Sequence, residues 1–160
     1  MNLLNQFSYP LLILGLLIGL YWVLRRLLHL RLVYVLGMQA AVLLIGLSGF
    51  ALLRPNVPPP SEVERVWTLL QNQRPTFIEF FSNYCIGCMA LEPSVKALVA
   101  EIEQDFNVLR IDIHTEVGRE IRRQMAFSFT PEFVIFDSAG EEIWRDHLLP
   151  SVEVLQAARQ

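Results

Sequence analysis

Acidic side chains are missing from the first 61 residues. All sixteen Asp and Glu lie beyond that point, and residues 1–53 carry only three charged groups, Arg25, Arg26 and Arg31. Beyond Arg54 there is no basic surplus, since nine Lys and Arg there face the sixteen acids, and this excludes the electrostatic footprint of a nucleic-acid-binding protein. No glycine-rich phosphate loop and no serine triad occurs. Histidine is rare and scattered: His29, His114 and His147 do not give the H-x₃₋₅-H spacing of a common zinc site and read as solvated or structural. Cysteine is rarer still, with two in 160 residues.

What fills the charge-poor part is hydrophobic. Phe7 to Leu24 is an uncharged run of 18 residues and Leu32 to Leu53 one of 22. At about 1.5 Å per residue each is long enough for a hydrocarbon core of about 30 Å, the first only just. Two membrane spans are expected. A buried hairpin of a soluble protein would need a larger surrounding domain than the remaining residues supply. A cleaved signal peptide fits poorly, because the positive charges follow the apolar stretch instead of preceding it. Gly15 and Gly19 make a G-x-x-x-G step in the first span, and Gly37, Ala40, Ala41, Gly46 and Gly49 enrich the second in small residues, for a dimer face or for packing within the hairpin. Arg25, Arg26 and Arg31 sit between the spans, so the positive-inside rule puts that turn in the cytoplasm and both chain ends outside. The expected location is the inner (cytoplasmic) membrane with the following domain periplasmic, where thiols oxidise unless reducing equivalents are supplied.

Residues 54–60 form a proline-rich linker, Arg54-Pro55-Asn56-Val57-Pro58-Pro59-Pro60, expected to run as polyproline II at about 3.1 Å per residue and hold the domain off by roughly 20 Å. Residues 61–160 then alternate in pattern. Ser61 and Glu64 make a capping-box signature for a helix ending near Gln73, and Pro75 stops it. Thr76 to Phe81 reads as a strand, Ile86 to about Gln104 as a helix bent at Pro93, Phe106 to Ile113 as a strand and Glu116 to Met125 as a helix. Glu132 to Asp137 and Glu142 to Arg145 read as strands joined by a turn at Ser138-Ala139-Gly140, and Ser151 to Ala158 as a closing helix. The order predicts an α/β domain with one sheet and helices on both faces.

The two cysteines, Cys85 and Cys88, stand at C-x-x-C spacing where the first strand passes into its helix. A thiol there meets the free N–H groups of a helix start, which favour its thiolate. The second thiol, one turn on, is placed to attack a mixed disulfide formed by the first. This is the geometry of dithiol/disulfide exchange, with Cys85 as an exposed nucleophile and Cys88 as the less accessible resolving thiol. A purely structural bridge would close too short a loop to remove much chain entropy. Copper(I) binding by Cys85, Cys88 and Met89 is a rival chemistry. Attachment of a c-type haem is disfavoured because Met89, not His, follows Cys88.

Residues 61–160 resemble the thioredoxin family at more than the two cysteines. The segment Thr76-Phe77-Ile78-Glu79-Phe80-Phe81-Ser82-Asn83-Tyr84-Cys85 looks like the family's strand into the active site, with its acid, Glu79, six residues before the first cysteine. Pro93 matches the family's helix proline, Arg110 falls where a strand lysine often sits near the acid, Thr130-Pro131 matches the dipeptide with a cis proline facing the cysteines, and Gly140 fits the turn glycine. Tyr84 in place of Trp, Ile86-Gly87 in place of Gly-Pro, Met89 in place of a basic residue and Leu148 in place of a glycine are departures. The chain is most similar to membrane-anchored extracytoplasmic thiol reductases: the C-terminal domain of the bacterial transmembrane disulfide reductase and the tethered thioredoxins of cytochrome c maturation.

The resemblance implies a thioredoxin-like fold, a central mixed sheet with helices on both faces, behind a two-helix transmembrane hairpin. It implies thiol–disulfide oxidoreductase activity with Cys85, Cys88 and the proton-relaying Glu79 as catalytic residues. Tyr84, Thr130 and Pro131 would contact substrate. No cofactor is expected beyond the redox-active Cys85–Cys88 disulfide, and no metal. Expected partners are protein thiols and disulfides, a membrane thiol electron carrier and the lipid bilayer, but not nucleic acid. Reduction is the expected direction. An oxidase or isomerase, a copper metallochaperone on the same fold, and a tether that only binds a partner are the alternatives.

Overall fold

The two charge-poor runs form long helices in the computed structural model, which describes residues 3–58, 60 and 62–159. A short helix α1 (Leu3–Gln6) is followed, after Phe7, by α2 (Ser8–Trp22), which continues into a π-helical turn at Val23–Leu27. The turn carries Arg25 and Arg26, and Arg25 Nη1 donates to Leu30 O at 3.0 Å. The first long helix thus reaches Leu27, three residues beyond the apolar run. Helix α3 (Leu32–Leu53) is the second. Both have the length and composition to cross a membrane, and both leave most of their surface uncovered by the rest of the chain, as core helices do not. They are joined by two hydrogen bonds: Tyr9 Oη donates to Gly46 O at 2.6 Å and Gln39 Nε2 to Leu17 O at 2.8 Å.

The close approach of these helices does not use the G-x-x-x-G step. A Cβ on Gly15, Gly19 or Gly37 would meet nothing within 4 Å, whereas one on Gly46 would lie 3.0 Å from Ile13 Cδ1 and one on Gly49 2.9 Å from Tyr9 Oη. The larger side chains Ile13 and Tyr9 enter the space that Gly46 and Gly49 leave open. Spacing alone could not say which glycines would face the partner helix.

The eight elements expected of residues 61–160 occur in the expected order: α4 (Val63–Leu70), β1 (Thr76–Phe81), α5 (Ile86–Ile102), β2 (Asn107–Asp112), α6 (Glu116–Gln124), β3 (Glu132–Phe136), β4 (Glu142–Asp146) and α7 (Val152–Ala158). Helix α4 ends before Gln73 because the chain turns there through a left-handed residue, Gln73 at φ 59°. Ser61 lies outside the described residues, and the cap of α4 is Glu62, without a side-chain bond. The sheet order is β2-β1-β3-β4, with β1 parallel to β2 and β3 antiparallel to both β1 and β4.

Alternation along β1 sorts its side chains between two layers. Ile78 and Phe80 pack with Leu109, Ile111 and Val134 beneath α4 and α6, where Val66, Leu70, Ile121 and Met125 meet them. Phe77 lies on the opposite face with Phe133 and Ile135, under Val95 and Ile102 of α5 and Leu155 and Ala158 of α7. Glu79 shares the parity of Phe77 and Phe81, so the strand carries its carboxylate into the α5 layer. Gly118 is required sterically where α6 starts against the end of β2, because a Cβ there would stand 2.0 Å from Asp112 O.

The linker does not hold the domain away from the helices. Asn56 takes a left-handed conformation, φ 47°, which breaks a polyproline run, and its N–H donates to Asn83 Oδ1 at 3.0 Å. Val57 then packs on Phe81, Cys85 and Cys88. The expectation of a stiff stalk of roughly 20 Å fails for this reason: one non-proline residue folds the segment back, and an apolar neighbour then has a hydrophobic surface to cover.

Candidate active site

Strand β1 delivers the chain through Ser82-Asn83-Tyr84 to Cys85, which is the N-cap of α5. Cys85 Sγ accepts the N–H of Cys88 at 3.3 Å, as a capping side chain does. The Cys88 thiol hydrogen bond outweighs burial and, helped by the Thr130 hydroxyl and the N–H groups of Cys88 and Gly87, lowers the Cys85 thiol to about 6. The Cys88 thiol moves the other way: burial, then the hydrogen bond and charge of Cys85, hold it protonated far above the ordinary thiol range. Both cysteines are free. One thiol is thus poised as an anion and its neighbour as an acid, the division that exchange requires.

Below them lies a buried row of charges. Arg110 on β2, the register partner of Glu79, donates through Nε to Glu79 Oε2 and through Nη1 and Nη2 to the two oxygens of Glu92 on α5. Glu79 is 1% exposed, and its second oxygen, Oε1, has no hydrogen-bond partner among the described residues. Burial raises the Glu79 carboxyl above its ordinary range, against the lowering by Arg110. Arg110 accordingly is the partner of Glu79, as the sequence led one to expect, but Glu92 was not foreseen. The available signal was its spacing, four residues after Cys88 on the same helix and hence one turn below that thiol.

Thr130 and Pro131 reach the site from the start of β3. Their peptide bond is cis, Thr130 O lies 3.6 Å from Cys85 Sγ, and a Cβ on Gly87 would be 3.5 Å from Pro131 Cδ. His147 Nδ1 lies 2.7 Å from Pro131 O, with its ring stacked on Phe129 at 3.6 Å. Tyr84 is partly exposed and stacks against Phe7 and Phe50 at 5.6 and 5.7 Å. His114 stands edge-on to Tyr84 and 2.9 Å from Ser82 Oγ. Neither His114 nor His147 is remote from the cysteines, and nothing in their sequence spacing signalled it.

Cys85 is not exposed. Only 1% of its surface is free, and Cys88 has none. Expecting an open thiol overlooked residues 5–9 and Val57, which close over the start of α5. Asn5 hydrogen bonds to Thr130, Gln6 O accepts from Ser82 Oγ, Ser8 Oγ accepts the N–H of Ile86, and Tyr9 N–H donates to Tyr84 O.

Residues 64–146 match the family model for thioredoxin. The chain belongs to the thioredoxin family. Among thioredoxin-like relatives, it is 24% identical over 98 residues to thioredoxin-like protein HCF164, chloroplastic, of Arabidopsis thaliana, covering 57% of this chain and 38% of that one. It is 30% identical over 78 residues to the thiol:disulfide interchange protein TxlA homolog of Synechocystis, covering 48% and 42%. The chain thus spans about two-fifths of the length of these curated relatives. Plasmodium falciparum thioredoxin superposes with a TM-score of 0.52 at 12% identity, over 64% of this chain and 96% of that one, a likeness of fold. The matched span contains Cys85-Ile86-Gly87-Cys88, Glu79 and Arg110.

Proposed function

We propose that this protein is a membrane-tethered thiol–disulfide oxidoreductase that reduces disulfides of protein partners outside the cytoplasm and is recharged by a membrane thiol carrier. The observation that carries the proposal is the paired state of the cysteines, a stabilised thiolate at Cys85 beside a buried, protonated Cys88. Cys85 thiolate attacks one sulfur of a partner disulfide, a mixed disulfide forms and the partner's other sulfur leaves as a thiolate that takes a proton. Cys88 gives its proton to Glu79 and attacks Cys85 Sγ. The Cys85–Cys88 disulfide forms and the second partner sulfur leaves, so two electrons pass from the dithiol to the partner. The carrier's dithiol reverses these steps. Membership of the thioredoxin family supports the chemistry, as does the likeness to a protein named for thiol:disulfide interchange.

In this proposal residues 1–53 are the membrane hairpin, 54–60 the linker and 61–160 the exchange domain. The two uncovered apolar helices support the tether, and Arg25, Arg26 and Arg31 support a cytoplasmic turn with residues 54–160 on the periplasmic side of the inner membrane. Thr130, Pro131 and Tyr84 border the thiolate and supply the contacts to a partner.

Trapping tests it. Cys88→Ala leaves Cys85 able to attack but unable to resolve, so protein partners accumulate as mixed disulfides that reductant releases. No adducts from native membranes, in a preparation whose Cys85 still reacts with a small alkylating agent, would overturn the exchange reading. Equilibration of the wild type against glutathione then gives the direction: a strongly oxidising potential would replace the reductase with an oxidase.

A further inference from the structure

The segment that covers Cys85 does so in the form of a partner. The Asn5 side chain is a carboxamide, one N–H donor side and one carbonyl, the same group as a backbone peptide unit. Its Nδ2 donates to Thr130 O at 2.8 Å, while its Oδ1 accepts from Thr130 N at 3.0 Å and from Thr130 Oγ1 at 2.9 Å. Both backbone groups of Thr130 next to the thiol are therefore taken, as an added strand would take them. Ser8 Oγ occupies the N–H of Ile86 at 3.0 Å, the helix-start donor beside Cys85. Gln6 O and Tyr9 N–H bind Ser82 and Tyr84, each at 3.0 Å. With Cys85 at 1% exposure no disulfide can approach along its sulfur.

We propose that residues 5–9 are a displaceable cover that occupies the partner's place on Thr130, so that Cys85 becomes reactive only when an extended peptide strand of the partner replaces Asn5. This regulation rests on the exchange function proposed above. Two features make the cover releasable. The segment has little structure of its own: α1 has four residues, and Phe7, at φ −117° and ψ 26°, breaks the helix between it and α2. Lifting residues 5–9 takes the first two residues of α2 and the Tyr9 Oη bond to Gly46 O with them, and leaves the rest of α2 and α3 in place. The closed form also buries Gln6 Nε2 without a partner among the described residues, a group that regains water on opening. The bonds to Thr130, Ile86, Ser82 and Tyr84 hold the cover shut and the unpaired Gln6 amide opposes them, so opening is a local event that does not require unfolding the domain.

The test is alkylation of Cys85 by iodoacetamide in the full chain in lipid nanodiscs, read by mass spectrometry at pH 8.5, where the thiol is ionised and access alone sets the rate. Asn5→Ala combined with Ser8→Ala is expected to react about tenfold or more faster than wild type, the factor that loss of two or more hydrogen bonds gives. Asn5→Asp, which can still accept from Thr130 but no longer donate, should fall between. A peptide disulfide should oxidise the wild type faster than a small disulfide such as hydroxyethyl disulfide, and the double variant should lose that preference. Equal alkylation rates in wild type and double variant would overturn the cover, whatever the exchange assays give. Faster alkylation of the double variant, with no oxidation by either disulfide, would leave the cover standing and remove the exchange reading instead.

Discussion

A thiol lowered to about 6 titrates where ordinary thiols stay protonated. Alkylation of Cys85 should rise with a midpoint near pH 6 and level off by about pH 7.5, one to two units above that midpoint. Cys88→Ala removes the largest stabilising contact and should move the midpoint up toward the ordinary 8.5 or so, which mass spectrometry of pulse-labelled protein measures. Glu79 gives a second expectation. Its carboxyl is raised in the folded protein, so the stability it contributes is complete below its unfolded value of 4.5 and is lost as pH rises through the folded one. The stability of Glu79→Gln relative to wild type should therefore increase as pH rises above 4.5, as thermal melts across pH would show. As a proton acceptor for Cys88 it should also matter kinetically. Stopped-flow exchange by the Gln variant near neutral pH should be slower by about 10²-fold, with the dependence on this group gone from the pH–rate profile. An unchanged profile would remove the relay. Glu79 was legible because an acid on an apolar strand stands out against its neighbours, and Arg110 through its place in the thioredoxin resemblance. Glu92 was not, since one acid along a long helix looks like any solvated residue.

The elements of the exchange domain were legible because each has a strong local cause: strand runs bounded by turns, a helix entered at Cys85, a glycine at the hairpin. Gly140, at φ 81°, is where a side chain would strain the backbone, and a Cβ there would meet Leu70 O at 2.7 Å. The linker and the hairpin contacts were not legible, because Asn56 and Gly46 act through neighbours far away in sequence. Gly118 shows how such a contact reaches the site. Gly118→Ala pushes on Asp112 O, and the Asp112 side chain holds both Asn83 Nδ2, at 2.7 Å, and the N–H of His114, at 2.9 Å. The substitution should cost about 1–3 kcal/mol in urea unfolding of the full chain.

For the whole molecule, the buried state of Cys85 changes how orientation has to be measured, since a reagent aimed at that thiol would report the cover as well as the membrane. Single cysteines at exposed sites avoid this: Ala139→Cys in the β3–β4 turn and His29→Cys between the long helices, each in a Cys85→Ser, Cys88→Ser background. An impermeant maleimide should label the first in intact spheroplasts and the second only after the membrane is opened. The reverse pattern would invert the topology. Sequence charge alone set this expectation, while the seating of the domain on the helices was visible only in three dimensions.

That seating has a consequence for how often partners are met. Tyr84 stacks on Phe50 near the end of α3, and its carbonyl takes the N–H of Tyr9 at the start of α2. If the hairpin lies in a bilayer as proposed, these contacts at the ends of α2 and α3 would hold the start of α5 close to the membrane surface. Encounters with a partner held in the same leaflet then become a search over area, and local crowding in the lipid plane sets their frequency where bulk concentration does not. On the proposed tether, a chain present at a few copies per patch of membrane would meet a membrane-held partner repeatedly, while a freely diffusing disulfide in the surrounding water would meet it seldom.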